Sequence, residues 1–524
     1  MRENAYTRAF EPASVTEPIA GTIKNHDGGA VYDIGDLARA RRFLIIGSNG
    51  GTYYQSERDI TRENVDGLRR LIAEKPIEFV DLIRDVSVRG LAPKLDPQLF
   101  ALAMCTAQPG PARAEAFRLF PVTVRTGSHL LTWARYHKLL GGKVGRSWRR
   151  AVSQWYTERS FDGLAYQLAK YKQRDGWAQK DLIDMSHALA GQVGATATTL
   201  RWARGEKVES AELPKLLTAL EREDATAGEL IAAGASWEML PDKAKRKRET
   251  WELLLDQNSL PLGAMLRQLP RLTELEVIDA WFTNHASQLI GAKLMDEEQL
   301  RKARIHPLGI LMAARQYAGG RSRSGLSYRP NNGVLEVLDQ AFYKAFETAP
   351  ASGKRTLIGV DVSPSMTSGY TDLNGLTAAE IAIVLAMKII RTEPASMAVG
   401  FASEIRELGI QRGDSLQTGM SRGQALSRMW GATNPGALIE FATKQKLEVD
   451  TFVVVTDNEV NRGFHVPQLL AQYRRQTGIP AKLCVLATSV TNMSIADPSD
   501  PGMLDIAGFG ADVPALLTEF SRGF

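Results

Sequence analysis

The chain has 524 residues, with 64 Lys and Arg against 59 Asp and Glu, a formal net charge of +5 and two cysteines. That length exceeds one hydrophobic core, and 44% hydrophobic with 23% charged residues excludes global disorder. Cys105 and Cys484 are too few and too distant to make a disulfide scaffold or a Cys-rich zinc module, which suits a reducing, cytoplasmic setting. The polar stretch Met1–Phe10 argues against a secretory signal. No apolar run approaches the roughly 18 residues of a membrane span, so no membrane is expected as a partner.

Charge is unevenly spread. Arg113–Lys180 holds 14 Lys and Arg against 4 Asp and Glu, a local net of +10, whereas Gln340–Phe524 holds 16 against 18, a net of −2. The two ends of the chain therefore meet different electrostatic partners.

In chain order, residues 1 to about 340 read as mostly helical, with apolar positions at three- and four-residue spacing such as Trp148, Val152, Trp155 and Tyr156. Asp96-Pro97, Pro109-Gly110-Pro111, Gly141-Gly142, Pro241 and Pro261 punctuate the pattern and suggest paired antiparallel helices. Phe43–Ile46 is either a short strand or a buried helical turn, and Gly47, Gly50 and Gly51 after it read as a structural turn without a Walker lysine.

The basic stretch carries the first candidate site. Arg135 precedes Arg146, Arg149 and Arg150, which cluster near a helix start. Lys170, Lys172, Arg174 and Lys180 follow, then His187 on the next helix. Lys170 and Arg174 are expected on one i, i+4 helix face, with Gly176 turning the chain. Cations with few acids to pair with, interleaved with Tyr171 and Trp177, suit phosphates and stacked bases. Trp177 by itself reads as a core residue.

After a Gly-, Ser- and Arg-rich linker, Gly319–Asn332, the texture changes near residue 350. Apolar strand runs at 356–362, 395–401, 451–456 and 481–487 alternate with helical segments, the pattern of a doubly wound, mainly parallel sheet. The division expected is a helical domain over 1–349 and an α/β domain over 350–524.

Asp361, Ser363 and Ser365 close the first strand run, Thr433 sits in a later loop, and Asp457 ends the third. Two carboxylates and three hydroxyls at the carboxyl ends of parallel strands form a hard oxygen set suited to Mg²⁺, Mn²⁺ or Ca²⁺ rather than zinc. These five residues resemble the metal-ion-dependent adhesion site of the von Willebrand A fold, which implies an acidic group of a protein partner as a further metal ligand. Asn434 follows Thr433 where that pattern has an aspartate.

Four stretches carry a wider resemblance: Gly50-Gly51-Thr52-Tyr53-Tyr54; Lys170 through Trp177; Arg301 through Pro307, with Arg304 and His306; and Asp361 through Ser365 with Thr456-Asp457-Asn458-Glu459. Together they resemble the Ro ribonucleoprotein autoantigens, in particular the bacterial members. The resemblance implies a TROVE module of HEAT-like helical repeats closed into a ring, followed by the von Willebrand A-type domain. It also implies small noncoding Y RNA on the outer surface near Lys170 and His187, and single-stranded 3′ ends of misfolded RNA in the ring cavity. The expected protein is a monomeric, non-catalytic scaffold for RNA quality control, decay or ribosomal RNA maturation. Its expected nuclease partner is polynucleotide phosphorylase or another exoribonuclease. The competing reading is a metal-dependent protein-interaction adaptor. An Mg²⁺-dependent hydrolase would need a nucleophile–base pair that the sequence does not supply.

Overall fold

The computed structural model describes residues 12–25, 28–33, 35–46, 57–90, 92, 95–209, 212–303, 305, 307–322, 325, 327–346, 351–363, 366, 377–393, 395–426, 433–457, 460–487, 493–507 and 513–522. The chain divides into two compact units. One comprises Met1–Arg70, Leu91–Pro93 and Phe346–Phe524; the other comprises Leu71–Gly90 and Lys94–Ala345. The residues before Arg70 thus group with the sheet, whereas the linear reading put them with the helices.

The second unit is built of short helices that pair through tight turns. The proline signals do start helices: Pro97 and Pro111 sit in the first turns of Asp96–Ala107 and Pro111–Thr123, where a missing N–H costs nothing. Helices Gly127–Leu139 and Arg146–Thr157 bury Trp133 and Trp148, whose rings stack at 6.2 Å. His137 is buried beside them, 3.2 Å from the Thr106 hydroxyl, and a Cβ on Gly142 would fall 2.3 Å from its ring, so only glycine fits there. Desolvation pushes this imidazole down to about 4, with the charge of Arg113 acting in the same direction.

The first unit contains the sheet. Strands β1 (Thr22–Lys24) and β2 (Ala30–Asp33) form an antiparallel hairpin. Strands β3 (Gln173–Arg174) and β4 (Trp177–Ala178) belong to the helical unit. The main sheet uses β5 (Thr356–Asp361), β6 (Ser396–Phe401), β7 (Ile405–Glu407), β8 (Thr451–Thr456), β9 (Lys482–Ala487) and β11 (Met503–Ala507), in the order β11-β9-β8-β5-β6-β7. All its pairings are parallel except β6 with β7. Strands β5 and β8 are buried at every position, as expected of strands covered on both faces. After β5 the chain runs outward to β6 and β7, then returns to β8 on the other side. The carboxyl ends of β5 and β8 therefore flank the point where strand order reverses.

The N-terminal segment is stitched to this unit. Strand β10 (Met493–Ser494) pairs with β2, and Val15 and Val31 enter the same core as Leu357, Phe452 and Val485. The Asn25 amide donates to Val460 O at 2.8 Å, and a Cβ on Gly29 would lie 1.7 Å from that same carbonyl. Phe43–Ile46 resolves as the end of helix Gly35–Ile46. On that helix Arg42, 1% exposed, donates through Nε to Asp505 Oδ2 at 2.8 Å and through Nη1 to Met493 O at 2.8 Å. Ser494 Oγ donates to the same carboxylate at 2.9 Å. Among the described residues no helix is long and apolar enough to cross a membrane.

Candidate nucleic-acid interface and metal centre

In the helical unit, Tyr171 and Lys172 separate helix Phe161–Lys170 from the hairpin of β3 and β4, whose loop is the pair Asp175-Gly176. Asp175 (φ 55°) and Gly176 (φ 78°) both take left-handed backbone, the combination a tight hairpin turn with matching twist requires, and the Asp-Gly pair is its sequence signal. Arg174 is therefore on β3, and the shared helix face expected for Lys170 and Arg174 does not exist. The hairpin docks on helix Gly127–Leu139 instead. Arg174 Nη1 donates to Ser128 Oγ at 2.6 Å, and Thr132 Oγ1 donates to Asp175 Oδ2 at 3.2 Å. Asp175 stands 3.6 Å from both Arg135 and Arg174, holding two guanidinium groups around one carboxylate.

Beneath the hairpin, buried Gln179 fixes the backbone. Its amide donates to Tyr171 O at 2.9 Å, and its oxygen accepts from the Tyr156 hydroxyl at 2.6 Å. A Cβ on Gly127 would lie 2.8 Å from the Gln179 amide nitrogen, so that helix start stays glycine. His129 sits close by, and burial, aided by the charges of Arg125 and Arg174 and opposed by Asp96, holds it down to about 4.

The remaining candidates surround this frame. Lys172 is exposed, with its ammonium 5.6 Å from the Trp202 ring centroid. Trp177 is half-buried and lies under Lys138 Nζ at 5.3 Å, so it is not simply a core residue. Lys180 is exposed in the first turn of helix Gln179–Ser186, and His187, also exposed, ends that helix in left-handed conformation (φ 56°). Arg146, Arg149 and Arg150 are exposed on helix Arg146–Thr157, which packs against Gln179–Ser186.

Lys170 differs from the others. It is half-buried, with its ammonium 5.5 Å from the ring centroids of both Tyr166 and Tyr171, and it pairs with Glu238 at 2.5 Å. Burial works against its charge, but the Glu238 hydrogen bond and the neighbouring tyrosines outweigh it and leave the pKa raised. The sequence reading missed Glu238, Ser128, Asp175 and Gln179. Only the Asp175-Gly176 turn signal could have located any of them.

In the sheet unit, Asp361 is fully buried at the end of β5. Its Oδ1 accepts from Ser363 N at 2.9 Å and its Oδ2 from Thr456 Oγ1 at 2.8 Å. Burial, then the charge of Asp457, push its carboxyl well above the usual range. Ser363, Thr433 and Asp457 are also buried, and the Thr433 N–H donates to Asn461 Oδ1 at 2.8 Å. Ser365 lies outside the described residues, as do Gly50–Tyr54, Arg304, His306, Asn458 and Glu459.

A carboxyl whose ionisation is opposed first by burial and then by the Asp457 charge, with hydroxyls beside it, fits a divalent cation, which would favour its ionised form. Among the described residues no group of three or more His, Cys, Asp or Glu could hold a metal, so such an ion would depend on hydroxyls and water. Asn434, read from sequence as a lost charge, has a structural task. Its N–H donates to Ala402 O at 2.8 Å, its side-chain oxygen accepts from Ala437 N at 3.2 Å, and a Cβ on Gly463 would fall 2.0 Å from that oxygen.

Two family models match the chain one after the other. The TROVE domain model matches residues 23–206 and 214–325, and the Ro60 vWA domain model matches 355–521. The RNA-binding protein RO60 of Deinococcus radiodurans is 35% identical over 513 residues, covering 96% of this chain and 95% of that protein. The protein of the same name from Caenorhabditis elegans is 30% identical over 589 residues, covering 96% and 90%. The crystal structure of the D. radiodurans Ro (RSR) protein superposes with a TM-score of 0.71 at 32% identity, over 93% of this chain and 100% of that one. With helices of a TROVE domain followed by a von Willebrand A-type sheet, the chain belongs to the Ro60 family.

Proposed function

We propose that this protein is a non-catalytic RNA-binding scaffold. The carrying observation is the cationic frame around the hairpin, where Arg135, Lys138, Lys172, Arg174 and Lys180 are exposed in a region of local net charge +10. Two named relatives are RNA-binding proteins, which supports the same reading. Recognition rests on phosphate contacts and on aromatic faces such as Trp177 and Trp202, because the major groove of A-form RNA is too narrow for side chains to read. Small noncoding Y RNA is the ligand proposed for this face. Single-stranded 3′ ends of misfolded or structured RNA are proposed for the interior of a helical ring, with a 3′→5′ exoribonuclease such as polynucleotide phosphorylase acting on them. The scaffold acts as a monomer in the cytoplasm.

The sheet unit adds a divalent cation, Mg²⁺ by charge density with Mn²⁺ or Ca²⁺ as substitutes. Asp361, Ser363, Ser365, Thr433 and Asp457 are the residues to hold it. When bound, it supplies an open coordination position for an acidic group of a protein partner; Asp361 and Thr456 keep the loop in shape for it.

The test is fluorescence anisotropy of a labelled RNA stem–loop with a single-stranded tail. Lys172→Gln/Arg174→Gln is expected to weaken binding at least about tenfold at 0.1 M salt. Wild-type affinity in that double variant would remove the hairpin from the interface.

A further inference from the structure

We infer that the segment Asp242–Arg248, a one-turn helix Asp242–Lys245 running into the start of helix Arg248–Asp256, is a second phosphate-binding edge of the same RNA face, an inference that rests on the RNA-binding reading above. Five cations fall in six positions here: Lys243, Lys245, Arg246, Lys247 and Arg248. Two are occupied internally, Lys245 with Asp242 at 2.9 Å and Arg248 with Glu252 at 2.7 Å. Lys243, Arg246 and Lys247 are exposed, and among the described residues none has an acidic partner within 4.0 Å. Three unpaired cations on one short segment repel one another, an arrangement that an anion relieves.

A short series of contacts ties this segment to the helix that leads into the hairpin. From below, buried Trp251 donates through Nε1 to Lys245 O at 2.9 Å, and its ring meets Trp237 at 5.9 Å. Trp237 begins a three-residue 3₁₀ turn, Trp237–Met239, whose middle residue is Glu238, the partner of Lys170 at 2.5 Å. Lys170 closes the helix leading into the hairpin. One ion pair thus joins the helix leading into the hairpin to the 3₁₀ turn that precedes the basic segment, with Lys243 five residues after Glu238 in sequence. The inferred RNA path runs from Lys172 to Lys243, Arg246 and Lys247. The ligand is the phosphodiester backbone, so the contact is independent of sequence.

The experiment uses the full chain and the same labelled stem–loop, titrated from 50 to 300 mM KCl. Lys243→Gln/Arg246→Gln/Lys247→Gln is expected to weaken binding at least tenfold at 100 mM KCl. It should also flatten the slope of log affinity against log salt by about 2 units, since each phosphate contributes roughly 0.7–0.9. A Lys243→Arg/Lys247→Arg variant should keep wild-type affinity and slope. Wild-type affinity and slope in the triple variant, alongside weakened binding by Lys172→Gln/Arg174→Gln, would overturn this inference and leave the RNA-binding reading standing. Absence of RNA binding by the wild-type chain would overturn both. Unchanged RNA binding with lost adsorption to phosphatidylserine vesicles would assign the segment to a lipid surface and overturn the inference.

Discussion

Arg42→Met tests whether the N-terminal segment is an integral part of the sheet unit. Arg42 is 1% exposed, and its guanidinium forks onto Asp505 while also satisfying Met493 O. Methionine fills similar volume without the charge, so the variant leaves the Asp505 carboxylate with Ser494 Oγ and little else. Breaking a buried pair by removing one partner costs about 3–5 kcal/mol. The Asp505 side chain keeps 18% exposure, so water recovers part of its solvation and the low end, about 3 kcal/mol, is the expectation. For a unit of this size each kcal/mol lowers Tm by roughly 2–4 °C, giving about 6–12 °C by scanning calorimetry. Arg42→Met/Asp505→Leu removes the stranded charge and should recover most of the loss. A single variant melting within about 1 °C of wild type would refute the reasoning and make residues 35–46 a dispensable strap.

Three further outcomes follow from the geometry. His137 is neutral in the fold with its pKa lowered to about 4, so the unfolded chain takes up its proton first. Stability contributed by this group is lost as pH falls from about 6.5 toward 4, up to about 3 kcal/mol at roughly 1.4 kcal/mol per unit. His137→Leu should flatten the fall in Tm between pH 7 and pH 5 in the helical transition, and an unchanged slope would contradict this. If the Asp361 site takes a divalent cation, 10 mM MgCl₂ should raise the melting temperature of the sheet unit by several degrees. That corresponds to about 2.7 kcal/mol at a hundredfold excess over Kd. The shift should vanish in Asp361→Asn, and a wild-type protein indifferent to Mg²⁺ would argue against the metal. Glu238→Gln releases Lys170 from an ion pair worth about 0.2–1 kcal/mol, so RNA should bind up to about fivefold more tightly, and weaker binding would contradict competition between Glu238 and phosphate.

The sheet unit was largely legible in the sequence because its central strands are buried on both faces and appear as unbroken apolar runs, Thr356–Asp361 and Thr451–Thr456 among them. The same placement made Asp361 and Asp457 readable as residues at strand ends. The N-terminal hairpin was not legible, since β2 pairs with a two-residue strand far along the chain and no local pattern encodes that partner. The short strands β3 and β4 carry no periodicity either, and the +10 stretch was misread as continuous helix across Lys170–Arg174, although Asp175-Gly176 held the turn signal. Ion pairs such as Lys170 with Glu238 form only through tertiary packing, so a count of nearby acids in sequence missed the acid that neutralises the most buried candidate. Asn434 carries a similar lesson: its amide caps the loop and helix it precedes, a role invisible when it is compared only with the aspartate it replaces.

The central claim is that the exposed cations of the helical unit bind RNA phosphates, and its most direct measurement is the salt dependence of RNA affinity for the unmodified full chain. With at least four phosphates engaged by Arg135, Lys172, Arg174 and Lys180, log affinity for the stem–loop should fall against log salt with a slope steeper than about −2.8. A slope near zero, or no binding at 50 mM KCl, would contradict the account.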